Sequence, residues 1–129
     1  MAMKKVLIVD DDTTFQKTLT EALKPLHCAV ISALDGAEGL TLALSEKPDL
    51  ILLDIKMPRL GGIDFLKQLQ KAHGGLQPTP VLITSNLSSA EDISEGVSLG
   101  IRGYIVKSDE SLDTIVRHAE GLLNPKKTA

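Results

Sequence analysis

The sequence is poor in several features that characterise particular classes of protein. Its single cysteine, Cys28, cannot form an internal disulfide, which is typical of the reducing cytoplasm. Its aromatic residues are two Phe and one Tyr, so stacking on nucleic-acid bases is disfavoured. No apolar run approaches the roughly 20 residues of a membrane span, and the start of the chain lacks a signal-peptide cleavage pattern. We therefore expect a cytoplasmic protein without a membrane anchor.

Excess positive charge is also missing. The formal net charge is −3, whereas a protein that binds nucleic acid directly needs a basic face. The hydrophobic fraction of 43% and the charged fraction of 24% are ordinary for a globular protein. A chain of 129 residues suggests one domain that buries a core without disulfides. We predict a single domain over residues 1–129, with a folded core at 4–124 and a tail at 125–129.

Five short apolar runs alternate with segments of helical spacing. The runs are continuous, which favours strands buried on both faces of a parallel sheet, and they lie at 6–9, 29–31, 50–53, 81–84 and 104–106. Ser88 and Glu91 form a capping-box pattern that predicts the start of the fourth helix. The order βαβαβαβαβα predicts an α/β fold with helices on both sides of one parallel sheet.

Reactive side chains follow four of the five predicted strands. They are Asp10, Asp11 and Asp12 after the first, Asp54 after the third, Thr84 and Ser85 at the fourth, and Lys107 after the fifth. In the strand order 2-1-3-4-5 the second strand is an edge, and the other four bring these groups to one rim. Ligands of open α/β sheets bind beyond the carboxyl ends of the strands. The sequence therefore predicts a site at this rim.

The chemistry of the rim suggests phosphoryl transfer. Adjacent carboxylates raise each other's pKa, and a Mg²⁺ ion, which prefers hard oxygen ligands, removes that conflict. A lysine and a hydroxyl can hold the remaining oxygens of a phosphoryl group, and a carboxylate can itself act as the nucleophile. Asp12, directly before a helical segment, is better explained as a helix N-cap. The predicted function is an Asp that receives a phosphoryl group.

The chain resembles the receiver domain of bacterial two-component response regulators, of the chemotaxis type, in four segments: VLIVDDD, LILLDIKMP, VLITS and GYIVK. The resemblance covers the whole chain. It implies a flavodoxin-like (βα)5 fold in three layers, with a five-stranded parallel sheet in the order 2-1-3-4-5. It also implies a signalling phosphoacceptor that catalyses only its own phosphorylation and dephosphorylation, and is not otherwise an enzyme.

Matched position by position, the resemblance makes Asp54 the phosphoacceptor. Asp10 and Asp11 resemble the acidic pair that binds Mg²⁺, or alternatively Mn²⁺, together with Asp54. The backbone carbonyl of Lys56 is implied as a further metal ligand. The phosphoryl donor would be a sensor histidine kinase or a phosphotransfer protein.

The same resemblance assigns roles to residues around the phosphoacceptor. Thr84 would hydrogen-bond the phosphoryl group, Lys107 would pair with it, and Tyr104 would be the switch aromatic. Lys56 and Asn86 occupy positions that tune the lifetime of the phosphoryl group. The face formed by helix 4, strand 5 and helix 5 would contact an unknown downstream target or a second copy of the chain, without nucleic acid or membrane contacts.

One position departs from the family pattern. Ser108 follows Lys107, where the family usually has a proline joined by a cis peptide bond. A cis bond before a non-proline residue costs about 2.5–4 kcal/mol. We therefore predict a trans bond or a rearranged loop, in which Lys107 is less well aimed. As an alternative, Ser108 caps helix 5.

Two other interpretations remain open from the sequence. The D-x-D-x-T pattern also begins phosphatases of the haloacid-dehalogenase type, with Asp10 as nucleophile and Asp12 as general acid. Against that interpretation, a second acidic motif near the C-terminus and room for a cap domain are missing, and Asp54 has no role. The third interpretation is a receiver-like interaction module that is not phosphorylated. The histidines show no ligand spacing and are predicted to be surface residues: His27, His73 and His118.

Overall fold

The computed structural model describes residues 3–75, 77, 79–86 and 89–124. Strands and helices alternate along the chain. The strands are β1 (Lys5–Val9), β2 (Ala29–Ala33), β3 (Leu50–Leu53), β4 (Val81–Ser85) and β5 (Gly103–Val106). The helices are α1 (Thr13–Leu23), α2 (Gly36–Glu46), α3 (Gly62–Ala72), α4 (Ala90–Ser98) and α5 (Leu112–Leu123), and a 3₁₀ turn, Lys24–Leu26, follows α1. Each predicted apolar run lies within a strand, and none of the described helices is long and apolar enough to cross a membrane.

The strands form one parallel sheet in the order β2-β1-β3-β4-β5, as predicted. Val9 pairs with Leu53 across β1 and β3, so the residues that follow these strands emerge side by side. The Asp54 N–H donates to the Val9 carbonyl at 2.9 Å and continues the ladder by one residue. The register therefore places Asp10 next to Asp54.

Two apolar clusters cover the two faces of the sheet, which gives three layers. One cluster, between the sheet and α2, α3 and α4, includes Val81 and Ile83 of β4 and is called the α3–α4 cluster. The other cluster, between the sheet and α1 and α5, includes Leu82 of β4 and is called the α1–α5 cluster. Successive strand residues point to opposite faces. Ser85 therefore shares the α3–α4 face with Ile83, whereas Thr84 shares the α1–α5 face with Leu82.

Polar side chains cap the starts of α1, α2, α4 and α5. Asp12 caps α1, because its carboxylate accepts the Phe15 N–H at 3.0 Å, and this prediction is confirmed. Helix α4 is capped by Ser89 with Asp92 as the box partner, so the predicted box at 88 and 91 is wrong by one residue. Ser88 itself, and the predicted tail at 125–129, lie outside the described residues.

The loop between β5 and α5 has two consequences for the predictions. No cis peptide bond occurs in the described part of the chain, so the bond between Lys107 and Ser108 is trans, as predicted. Helix α5 is capped by Ser111, whose hydroxyl accepts the Thr114 N–H at 3.2 Å. The alternative in which Ser108 caps this helix is therefore wrong, because the loop runs three residues further before the helix starts.

Candidate functional site

Three carboxylates meet at the carboxyl edge of the sheet. Asp10, Asp11 and Asp54 each offer an oxygen, and these oxygens lie within 4.8 Å of one another. Asp10 is completely buried and Asp54 is 7% exposed, whereas Asp11 faces solvent. The structure therefore brings the three predicted acids together in a cluster that is closed below and open above, and that could hold a metal ion.

The ammonium group of a lysine lies beside two of these carboxylates. The Lys107 Nζ is 2.5 Å from Asp10 Oδ2 and 3.8 Å from Asp54 Oδ2. The shorter contact is an ion pair between two side chains that are at least 90% buried. The Lys107 backbone N–H donates to the Ser85 carbonyl at 3.1 Å, which anchors the lysine at the end of β5. One ammonium beside three carboxylates leaves negative charge in excess, and this suits a hard divalent cation.

Burial dominates the electrostatics of Asp10. It raises the pKa of the Asp10 carboxyl above its ordinary value, and the neighbouring Asp54 acts in the same direction. The Lys107 ammonium and the Asp12 N–H, which donates to Asp10 Oδ1 at 2.9 Å, lower the pKa and offset part of the effect of burial. Nearby positive charge favours the ionised form. Asp10 thus sits where an additional cation would stabilise its charge.

The two hydroxyls at the end of β4 have different environments. Ser85 Oγ donates to Asp54 Oδ1 at 2.8 Å. Thr84 Oγ1 is buried and has no hydrogen-bond partner among the residues that the structure describes. The structure therefore does not bring the Thr84 hydroxyl to the acidic cluster, because alternation along the strand turns it to the opposite face. Ser85, which was not assigned a role from the sequence, contacts the predicted phosphoacceptor instead.

A cleft of about 230 Å³ opens above these groups. Its lining residues come from four loops, and they are Asp11, Asp12, Asp54, Lys56, Ser85, Asn86 and Lys107. The Lys56 N–H lies 3.4 Å from Asp54 Oδ1. Tyr104 does not line the cleft; it is half-buried against the α3–α4 cluster and pairs with Ile83. The three histidines at 27, 73 and 118 are exposed, as predicted.

Comparison with known proteins decides the family. Residues 6–119 match the response regulator receiver domain. The chain belongs to this family. The receiver domain is a signalling phosphoacceptor domain of two-component systems, so the predicted family and function class are confirmed. The phosphatase interpretation is wrong, because the chain belongs to the receiver family and not to the phosphatases of the haloacid-dehalogenase type.

Relatives of this receiver domain include proteins of several kinds. The transcriptional regulatory protein CpxR of Escherichia coli K12 is 37% identical over 115 residues, which are 89% of this chain and 47% of that protein. A protein-glutamate methylesterase/protein-glutamine glutaminase of Myxococcus xanthus is 38% identical over 104 residues, 79% of this chain and 29% of that protein. The chain thus spans about half the length of the regulator, and less of the methylesterase.

Solved structures agree with the predicted fold. The chemotaxis protein CheY4 of Vibrio cholerae superposes with a TM-score of 0.83 at 30% identity, covering 95% of this chain and all of that one. The receiver domain of Francisella response regulator 1452 gives 0.83 at 32% identity, covering 95% of this chain and 98% of that one. The flavodoxin-like fold with strand order 2-1-3-4-5 is therefore confirmed.

Behind the acidic pair of the receiver domain lies a residue that sequence reasoning missed. The Gln16 side chain is 5% exposed, and its amide nitrogen contacts the carbonyls of Ile8 (3.0 Å), Asp10 (3.2 Å) and Ala33 (2.8 Å). It ties the ends of β1 and β2 to α1. The signal available in the sequence was a polar residue one position after Phe15, beside the apolar face of α1.

The loop after Asp54 is anchored at its far end. Arg59 donates to Asp35 Oδ2 at 2.9 Å, and Asp35 also caps α2 by accepting the Glu38 N–H at 2.8 Å. The Gly62 N–H donates to the Ile55 carbonyl at 2.8 Å. These contacts fix the segment that carries Lys56 beside the cleft.

Proposed function

We propose that Asp54 accepts a phosphoryl group from a phosphohistidine of a sensor kinase or phosphotransfer protein. One observation carries this assignment: Asp54 has the Ser85 hydroxyl on one oxygen and the Lys107 ammonium near the other, and it faces the open cleft. Asp10 is buried against Lys107, which makes it a poor nucleophile for an incoming phosphoryl group. The domain then acts as a signal carrier that promotes only its own phosphorylation and hydrolysis.

The acidic cluster is proposed to hold Mg²⁺, with Mn²⁺ as a substitute. Asp10, Asp11 and Asp54 supply hard oxygen donors, and the backbone carbonyl of Lys56 is proposed as a further ligand. When bound, the cation neutralises negative charge on the carboxylates and on phosphoryl oxygens. The excess of carboxylates over cations at this edge supports the proposal, since a divalent ion offsets the remaining charge.

The reaction follows from the side chains around Asp54. An Asp54 oxygen attacks phosphorus, the P–N bond of the phosphohistidine breaks, and its electron pair returns to the imidazole. The Ser85 hydroxyl then turns from the carboxylate to a phosphoryl oxygen. The Lys107 ammonium, already 3.8 Å from Asp54, pairs with another phosphoryl oxygen. Ser85 takes the role that the sequence pattern gave to Thr84.

The face made by α4, β5 and α5 is proposed to transmit the signal by binding a partner. Ser85 and Tyr104 lie on the same side of the sheet, so movement of the Ser85 hydroxyl changes the surroundings of the tyrosine ring. Val97 of α4 is 63% exposed and offers an apolar contact on this face. A target protein, or a second copy of the chain, would bind there. Lys56 and Asn86 line the entrance of the cleft and are proposed to tune phosphoryl lifetime.

Treatment with acetyl phosphate and Mg²⁺ tests this function. We expect the mass of one added phosphoryl group, mapped to Asp54 after borohydride trapping, and its loss in Asp54→Asn or in EDTA. Asp64→Asn, an exposed acid of α3, is the matched control and should behave as the unmodified protein. A label on Asp10 instead would show that Asp54 is not the phosphoacceptor. The absence of any label would favour an interaction module.

A further inference from the structure

The Lys107 ammonium has a third neighbour besides the two carboxylates. Its Nζ lies 4.3 Å from the centroid of the Phe15 ring. A lysine ammonium within about 6 Å of an aromatic centroid is attracted by the negative face of the ring. Lys107 has only 10% of its side chain exposed, so this attraction acts where water screens little. The ring is thus part of the surroundings that determine where the ammonium lies.

The position of the Phe15 ring is itself well defined. Phe15 lies in the first turn of α1, and its backbone N–H is held by the carboxylate of the N-cap Asp12 at 3.0 Å. Its side chain is half-buried against the α1–α5 cluster. The aromatic face therefore meets Lys107 from a helix whose start is anchored directly after the acidic pair.

The anchored backbone of Lys107 does not by itself fix the position of the ammonium. The lysine N–H is fixed to Ser85, but a flexible four-carbon stem separates that point from the ammonium. Asp11, the third acid of the cluster, is open to solvent. An unsupported ammonium could move outward toward Asp11 and away from Asp54. The following Ser108 is exposed.

We propose that Phe15 is a positioning residue for Lys107. Its ring and Asp10 together hold the ammonium 3.8 Å from Asp54, in place for the phosphoryl group that Asp54 receives. The inference rests on the proposed function of Asp54. Its chemical basis is the ring face, because a leucine of similar size would keep the apolar packing and lose the attraction for the cation.

The test compares Phe15→Leu with Phe15→Trp, which retains an aromatic face. With phosphoramidate at saturating Mg²⁺, we expect Phe15→Leu to be phosphorylated about threefold to tenfold more slowly. Phe15→Trp should remain near the unmodified rate, and Leu112→Ala, a change elsewhere in the same apolar cluster, should lower stability without slowing the reaction. The NMR signals of the Lys107 ε-methylene should lose their ring-current shift only in Phe15→Leu.

The outcomes separate the two proposals. A Phe15→Leu rate equal to that of the unmodified protein, or a Phe15→Trp rate as low as that of Phe15→Leu, overturns the positioning role and leaves Asp54 as the phosphoacceptor. An unmodified protein that takes no phosphoryl group on Asp54 overturns both proposals. The ring-current shift is measured without a phosphoryl donor, so loss of the contact is observed independently of the reaction.

Discussion

Adjacent hydroxyls at the end of β4 should respond in opposite ways to removal. Thr84 Oγ1 is buried without a hydrogen-bond partner in the described part of the chain, and an unsatisfied buried hydroxyl costs about 1–3 kcal/mol. Valine has almost the same shape as threonine, so Thr84→Val should stabilise the fold by about 1 kcal/mol, or about 3 °C in Tm at this chain length. Ser85→Ala instead removes the 2.8 Å hydrogen bond to Asp54 Oδ1.

The functional readout is the affinity for beryllofluoride, which stands in for a phosphoryl group on a carboxylate. A hydrogen bond to a charged group contributes about 1.5–3 kcal/mol, so Ser85→Ala should weaken beryllofluoride binding by about tenfold or more. Thr84→Val should bind it as the unmodified protein does. Urea unfolding gives the stability of both variants, and NMR titration with fluoride, beryllium and Mg²⁺ gives the affinities.

Two results would refute this reasoning. In the first, Thr84→Val loses beryllofluoride binding while Ser85→Ala keeps it, which would restore the role first predicted for Thr84. Destabilisation of Thr84→Val by more than 1 kcal/mol would show that its hydroxyl has a partner in solution. Thr18→Val, at an exposed hydroxyl of α1, is a control for the general effect of the substitution.

Three further predictions concern packing, capping and the thiol. Gly36→Ala should cost about 3 kcal/mol in urea unfolding, because a Cβ there would lie 2.0 Å from the Leu60 carbonyl oxygen; a loss below 0.5 kcal/mol would contradict that close approach. Asp12→Ala should cost about 1 kcal/mol as a lost N-cap, with a much smaller loss of Mg²⁺ affinity than Asp11→Asn in the same titration. Burial raises the pKa of the Cys28 thiol, so alkylation of Cys28 should be slow at neutral pH. The alkylation rate should increase at a higher pH in the folded protein than in the urea-unfolded protein, because the reactive thiolate forms later. Equal rates in the two states would argue against burial of the thiol.

The fold could be predicted because its signals are local and repeated. Continuous apolar runs are characteristic of strands buried on both faces, and all four residues of β3 are indeed buried. The rim could also be predicted, since the carboxyl ends of parallel strands meet at one edge. Asp10, Asp11 and Asp54 needed only the strand ends and the strand order to be placed together.

The side-chain details of the site depended on information that the pattern does not contain. A strand end misplaced by one residue reverses the face of every side chain counted from it, and β4 runs through Ser85 rather than ending at Thr84. The contact of Phe15 with Lys107 joins the first helix to the last strand, so it depends on tertiary packing. No feature of the sequence pattern identifies Phe15 as the neighbour of the Lys107 ammonium.

The three aspartates after β1 divide into different physical roles, and this division explains how the edge is both folded and reactive. Asp12 stabilises α1 as its cap, whereas burial raises the pKa of the Asp10 carboxyl and Lys107 offsets only part of that effect. Removing one partner of a buried pair is costly, yet the pair itself adds little to stability. The unbalanced charge of the acidic edge is what the proposed cation would relieve, since a divalent ion there would offset the repulsion among Asp10, Asp11 and Asp54.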